Sequence, residues 1–319
     1  MQNFLDPAIL FFVFGLLAGA LKSNLEIPAP IARFLSLYLL MALGLKGGFA
    51  LAKSGLTADV AVSLGCALAL ALAVPALGYG LLKRLVSRFD AAAIAATYGS
   101  VGAVTFITAT QYLDNHGVAF GGHMAAAMAL MESPAIVMAV VLANVARRRE
   151  GGAAAQGHGL RSVLHESLTD GAQLLLLGAM AVGLLTGAAG QAAMQPFAGD
   201  LFKGMLAFFL LDMGLLAARN VSALRGKPPA LLAYALLAPP VHATLALALA
   251  WACDLSPGNG ALLMVLAASA SYIAVPAVVR VAIPEANPSL YFGMSLGLTF
   301  PVNILAGIPL YSSVALRLL

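Results

Sequence analysis

The chain is divided into runs of continuously apolar residues, each close to the length a helix needs to cross a lipid bilayer. About 20 residues of α-helix span the ~30 Å hydrocarbon core. Ten such stretches occur: 8–22, 31–52, 58–82, 90–112, 120–146, 171–189, 200–218, 229–252, 259–281 and 290–316. The runs do not alternate with period two, which excludes barrel strands and leaves helices. Only 9% of residues are charged and 61% are hydrophobic, whereas about 25% are charged in a soluble domain. That balance excludes a soluble domain, a disordered chain and a secreted disulfide scaffold. It predicts an all-α polytopic membrane protein. Met1–Phe4 carries no basic residue, so the first run reads as a span and not as a cleavable signal. Cys66 and Cys253 lie in or beside apolar runs and read as free thiols.

The few charges orient the spans. Of 17 Lys and Arg, thirteen fall in the loops after spans one, three, five, seven and nine. The opposite side holds Lys53, Lys203 and Arg317, and Lys46 lies inside span two. Basic residues gather on the cytoplasmic side, so the split predicts a multi-pass protein of the cell inner membrane with both termini outside. The excess positive charge thus marks topology, and nucleic acid is not expected as a partner.

The two halves repeat. Phe14-Gly15-Leu16-Leu17 in span one matches Val182-Gly183-Leu184-Leu185 at an offset of 168, Leu43-Gly44-Leu45 matches Met213-Gly214-Leu215 at 170, and Glu132-Ser133-Pro134 matches Thr299-Phe300-Pro301 at 167. The expected organisation is an N-terminal five-span repeat over 1–146, a hydrophilic cytoplasmic linker over 147–170 and a C-terminal five-span repeat over 171–319. Five spans per half invert the second half. Inverted repeats characterise secondary transporters whose substrate binds near the midplane, at broken helices.

Two segments at equivalent positions are composed for such breaks. Span four contains Gly99-Ser100-Val101-Gly102-Ala103-Val104-Thr105, and span nine contains Ser269-Ala270-Ser271-Tyr272-Ile273-Ala274-Val275-Pro276. Pro276 lacks a backbone donor and clashes with the preceding turn, so a kink or break is expected there. Two half-helix N-termini meeting at a crossing would offer unpaired N–H groups and positive dipole ends to an anion. The alternative role for these small residues is helix packing. Charges deep in spans are expensive and functional candidates; they are Lys46, Glu132 and Asp212. Lys46 and Asp212 occupy repeat-equivalent spans, which fits an ion pair between them or a role toward substrate. Glu132 fits a coupling-ion ligand, a gate, or a carboxyl bonded to backbone freed by Pro134. No nucleotide loop, nucleophile elbow or metal motif is present, so no enzyme activity, metal or cofactor is expected.

The run Arg280-Val281-Ala282-Ile283-Pro284-Glu285-Ala286-Asn287-Pro288-Ser289 resembles a signature segment of the sodium-dependent bicarbonate transporters of the SbtA type. Gly44-Leu45-Lys46-Gly47-Gly48, Glu132-Ser133-Pro134-Ala135 and Val141-Leu142-Ala143-Asn144 resemble further landmarks of that family, in its order. The resemblance implies a core and a gate domain, a homotrimer, and sodium-driven bicarbonate symport by alternating access, with sodium as the coupling ion. It places the anion against Gly102, Ala103, Val104 and Thr105 in span four and Ser269, Ala270, Ser271, Tyr272 and Ala274 in span nine, with Ser100, Glu132, Lys46 and Asp212 as coupling-ion or gating candidates. The chain departs from the family where its span-four run is Ser-Gly-Ser-Thr and its span-nine run carries an Asp. Gly102-Ala103-Val104-Thr105 and Tyr272 stand there instead, which removes oxygen ligands that a hard cation prefers. The central connection is shorter than in cyanobacterial members, which weighs against a cytoplasmic regulatory-protein partner. Other readings of the same pattern are a sodium/proton-type exchanger using Glu132 and Asp212, an organic-anion exchanger, and a non-transporting membrane sensor or scaffold.

Overall fold

Helix boundaries follow the punctuation of the sequence. The computed structural model describes residues 6–55, 57–149, 171–221, 224 and 226–319. Asp6 caps α1 (Pro7–Ala20), its carboxylate accepting from the Ala8 N–H, and Pro7 takes the first turn. The next helices are α2 (Ala29–Ser54), α3 (Ala58–Leu82), α4 (Arg88–Gly99), α5 (Ala103–Asn115) and α6 (Met124–Arg149). After the connection over 150–170, which lies outside the described residues, come α7 (Gly171–Met194) and α8 (Phe202–Val221), joined by a π-helical turn. Then follow α9 (Pro229–Ala252), α10 (Pro257–Ala268), α11 (Ala274–Ala282) and α12 (Pro288–Leu318), the last containing two further π-helical turns. Pro at the first turn of α9, α10 and α12 costs no hydrogen bond, because those N–H groups have no partner within the helix.

No strand occurs among the described residues. Seven helical runs there are long and apolar enough to cross a membrane: Ala29–Ser54, Ala58–Leu82, Arg88–Asn115, Met124–Arg147, Gly171–Val221, Pro229–Ala252 and Pro288–Leu318. The difference from ten expected spans has physical causes. Gly171–Val221 is one run of 51 residues containing both α7 and α8. Pro7–Ala20 and Pro257–Ala268 are apolar but shorter, about 21 and 18 Å at 1.5 Å per residue. Outward-facing Leu17, Leu77, Leu185, Leu237 and Val241, with Leu185 85% exposed, form an apolar surface that lipid covers. The chain is a polytopic, all-helical membrane protein.

Glycines set the closest helix contacts. α1 packs on α8 and α2 on α7. A Cβ on Gly15 would lie 2.3 Å from the Leu211 carbonyl, and one on Gly214 would lie 2.3 Å from the Phe12 carbonyl. In the other pair, a Cβ on Gly48 would lie 2.1 Å from the Met180 carbonyl and one on Gly183 2.6 Å from that of Leu45. Only hydrogen fits at such crossings. α5 and α10 share the apolar core of these four helices, and a second apolar core gathers around Tyr98, whose hydroxyl lies 2.6 Å from Thr299 Oγ1. Thr299 in turn donates to the Ala235 carbonyl.

Candidate functional site

Two interrupted helices cross inside the bundle. α4 stops at Gly99, and Ser100 turns extended with φ −97° and ψ −176°. Gly102, at φ −91° and ψ 104°, precedes the first residue of α5. Likewise α10 stops at Ala268, Ser269 is extended, and α11 restarts at Ala274. At 12 to 13 residues, α4, α5 and α10 are each shorter than a bilayer core. Neither interruption leaves its backbone adrift. The Gly102 N–H donates to Ser269 Oγ at 3.0 Å, linking positions 167 apart in the chain. The Ser271 N–H donates to the Thr97 carbonyl at 2.8 Å, and Ser269 Oγ donates to Leu266 at 2.8 Å. A Cβ on Gly102 would sit 3.0 Å from the Ala270 carbonyl, so the crossing uses its missing side chain. Pro276 is not the break itself: it falls in the first turn of α11, where its missing N–H costs little. Ser269, Ala270 and Ser271 make the turn instead.

The starts of α5 and α11 open on one cavity of about 420 Å³. Ala103 and Ala274, their first residues, line it together with Val101 and Ile273. Glu132 from α6 and Gln173 from α7 complete its polar wall, Gln173 Nε2 donating to the Glu132 carboxylate at 2.7 Å. Apart from Ser36 the remaining walls are apolar. Two positively polarised helix ends therefore face one small space.

Of the residues the sequence singles out, Ala103, Glu132 and Ala274 line this cavity. Gly102, Val104, Thr105, Ser269, Ala270, Ser271 and Tyr272 lie buried at the crossing behind it. Ser100 Oγ is buried without a hydrogen-bond partner among the described residues. Tyr272 is packed as core: its ring meets Phe300 edge-on at 5.1 Å between centroids, and its hydroxyl has no partner among the described residues. Val101 and Ile273 carry no sequence signal, since apolar residues in an apolar helix look like packing.

Lys46 and Asp212 do not pair. Among the described residues the one salt bridge joins Arg147 to Glu285. α2 packs mainly on α7 and touches α8 as well, but Lys46 meets α8 at its start and Asp212 lies ten residues further along it, about 15 Å away. Lys46 Nζ instead sits 3.9 Å above the Phe202 ring and lines cavities shared with Asp114. Asp212 is buried on α8.

The landmark run after α11 builds a clasp. Arg147 Nε and Nη2 donate to the two carboxylate oxygens of Glu285, each at 2.8 Å, Nη2 also to the Ala282 carbonyl and Nη1 to Asn144 Oδ1. The Arg147 guanidinium holds the Glu285 carboxyl below the usual carboxylate range. Asn287 caps α12 through the Ser289 N–H, and its own N–H donates to Asp90. Asn144 and the Arg280–Ser289 run are thus tied together at the mouth of α11. Cys66 is buried, Cys253 is exposed, and both are free thiols. No group of three or more His, Cys, Asp or Glu with metal-site geometry occurs among the described residues.

Comparison with known families matches residues 7–316 to the Na+-dependent bicarbonate transporter superfamily. The match spans nearly the whole chain, and the chain belongs to that superfamily. A comparison with curated proteins returned no match.

Proposed function

We propose that this member of the Na+-dependent bicarbonate transporter superfamily is a secondary transporter that moves a small anion, bicarbonate first, by alternating access. One observation carries the reading: the starts of α5 and α11 open on the same cavity of about 420 Å³. Each helix start contributes roughly half a positive charge. The first turn of α5 adds N–H donors. In that of α11, Val275 is bonded to Ser271 Oγ, Pro276 has no N–H and Ala277 is bonded to the Ile273 carbonyl, which leaves the N–H of Ala274. With no Lys or Arg among the cavity residues, selection rests on backbone donors and on size, which suits a compact, planar anion. Sodium-driven symport is the coupling that the superfamily's name supports, and sodium would then occupy oxygen ligands near the crossing. Ser100, with its unpartnered buried hydroxyl at the negative end of α4, is the first candidate.

The proposed architecture is ten spans in two inverted five-span repeats, in the inner membrane with both termini outside, assembled as a homotrimer. The reciprocal glycine contacts of α1 with α8 and of α2 with α7, and the Gly102–Ser269 bond across an offset of 167, support the repeat. A coupling role for Glu132, as in a sodium/proton-type exchanger, has its own support in the carboxylate's place on the cavity wall.

The test is uptake of labelled bicarbonate into proteoliposomes with and without an inward sodium gradient. Uptake that collapses without sodium supports symport. Sodium-independent uptake that responds to a pH gradient, and loses that response in Glu132→Gln, favours the carboxylate reading. No uptake of bicarbonate or other small anions would sink the transport reading and favour a non-transporting membrane protein.

A further inference from the structure

A second polar space lies away from the crossing. Lys203 Nζ donates to Asn115 Oδ1 at 2.8 Å, and Asn115 Nδ2 donates to Asp6 at 2.9 Å. The end of α5 and the starts of α8 and α1 therefore share one face of the bundle. Here a vestibule of about 490 Å³ is lined by Lys46, Lys53 and Lys203 against Asp114 and Asp200. Asp200 is engaged by Gln195, whose Nε2 donates to it at 3.1 Å. The cationic groups thus outnumber the carboxylates, one of which is already in use.

Lys46 forms the floor. It sits eight residues before the end of α2, about 12 Å inward along the axis. Its ammonium has no carboxylate within 4.0 Å, since the salt bridge among the described residues is elsewhere. The Phe202 ring compensates part of its charge, but an aromatic face replaces an anion poorly at this depth. Lys46 and Asp114 also line a narrower cavity of about 260 Å³ that descends along α5 past Thr110 to Phe106. Phe106 is one turn from Ala103, the residue at which α5 opens on the crossing cavity.

We infer that Lys46 and Lys203 form an anion-capture site in this vestibule, a holding position for a small monovalent anion before it reaches the crossing. Its place on a transport route rests on the anion-transport reading; the binding does not. Two ammonium groups on one wall attract the anion, and Asp114 opposes it. That arrangement sets occupancy without binding the anion so tightly that it cannot move on.

The experiment is amine acylation of the purified full chain in detergent, read lysine by lysine by mass spectrometry. Sodium gluconate is exchanged for sodium bicarbonate at constant sodium, pH and ionic strength. Labelling of Lys203 should slow about threefold when bicarbonate reaches twice its dissociation constant, while Lys83, on a distant loop, is unaffected. Asp114→Asn should strengthen the protection and Lys46→Gln should remove it. In proteoliposomes, Lys203→Gln should raise KM for bicarbonate about tenfold with the maximal rate retained. Protection that persists in a chain showing no uptake upholds the capture site while the transport reading fails. Uptake without protection of Lys203, or protection that follows sodium and ignores bicarbonate, overturns the capture site. An unchanged KM in Lys203→Gln together with unaltered protection in Asp114→Asn overturns it as well, whether or not Lys46→Gln folds.

Discussion

Glu285→Gln tests whether the landmark run after α11 is a clasp. The substitution keeps the shape of the side chain and one acceptor but removes the charge that Arg147 grips through two 2.8 Å bonds. Arg147 stays nearly buried, at 9% side-chain exposure, and keeps Asn144, the Ala282 carbonyl and one neutral acceptor on the new amide in place of the carboxylate. A fully buried, unpaired charge costs about 3–5 kcal/mol. Glu285 is 37% exposed, so solvent screens the pair and the expected loss falls to about 1–2 kcal/mol. At roughly 2–4 °C per kcal/mol for a large chain, Tm should drop by about 2–8 °C. Melting can be followed in detergent, in a Cys253→Ser background that removes the exposed thiol, with a fluorogenic thiol dye that reaches buried Cys66 only on unfolding. The pH dependence fixes the cause. Arg147 depresses the folded-state pKa of Glu285, so its contribution is complete above the unfolded value of about 4.3. It is lost as pH falls through the lower folded value. The gap between Glu285→Gln and the parent should therefore close toward low pH, and Arg147→Met combined with Glu285→Gln should cost less than the sum of the two. A gap that stays constant from pH 7 to about pH 3, or strict additivity, would refute the clasp.

Three further outcomes follow from the packing. Ser269→Ala strands the buried Gly102 N–H and should cost about 1–3 kcal/mol, measured as a fall in Tm; an unchanged Tm means that the crossing does not depend on this bond. Tyr272→Phe discards a buried hydroxyl that has no partner among the described residues, so it should leave Tm unchanged or raise it by the equivalent of about 1 kcal/mol. Tyr272→Asp, by contrast, puts a carboxylate against Phe300 and should melt early, with sodium raising Tm only if the substitution rebuilds a cation site. Gly48→Val pushes a Cβ to 2.1 Å from the Met180 carbonyl, so α2 and α7 must separate; overpacking of this kind costs about 1–3 kcal/mol or more, and a parent-like yield and Tm would refute the close crossing.

What the sequence discloses depends on whether a feature is local. Helix starts are readable because Asp6, Ser87 and Asn287 are caps and Pro7, Pro257 and Pro288 fit only a first turn. The segments over 99–105 and 269–276 announce their breaks through clustered Gly and Ser, although the place of Pro276 in the restarted helix needs the coordinates. Partnership is not local. Lys46 and Asp212 suggest a pair because they fall in equivalent spans, but Lys46 meets α8 at its first residue, Phe202, while Asp212 lies ten residues further along that helix, about 15 Å away. Arg147 reads as one more basic loop residue until Glu285, 138 positions away, is brought against it. The cavity wall is the least legible part, and for a physical reason. An anion held by backbone N–H groups needs no distinctive side chain, and Val101 and Ile273 serve as plain apolar wall. Replacement of hydroxyls and a carboxylate by Val104 and Tyr272 therefore bears on cation binding far more than on anion binding. The substitution most informative about coupling is consequently one that restores an oxygen ligand beside Phe300, and the helix starts themselves can be left untouched.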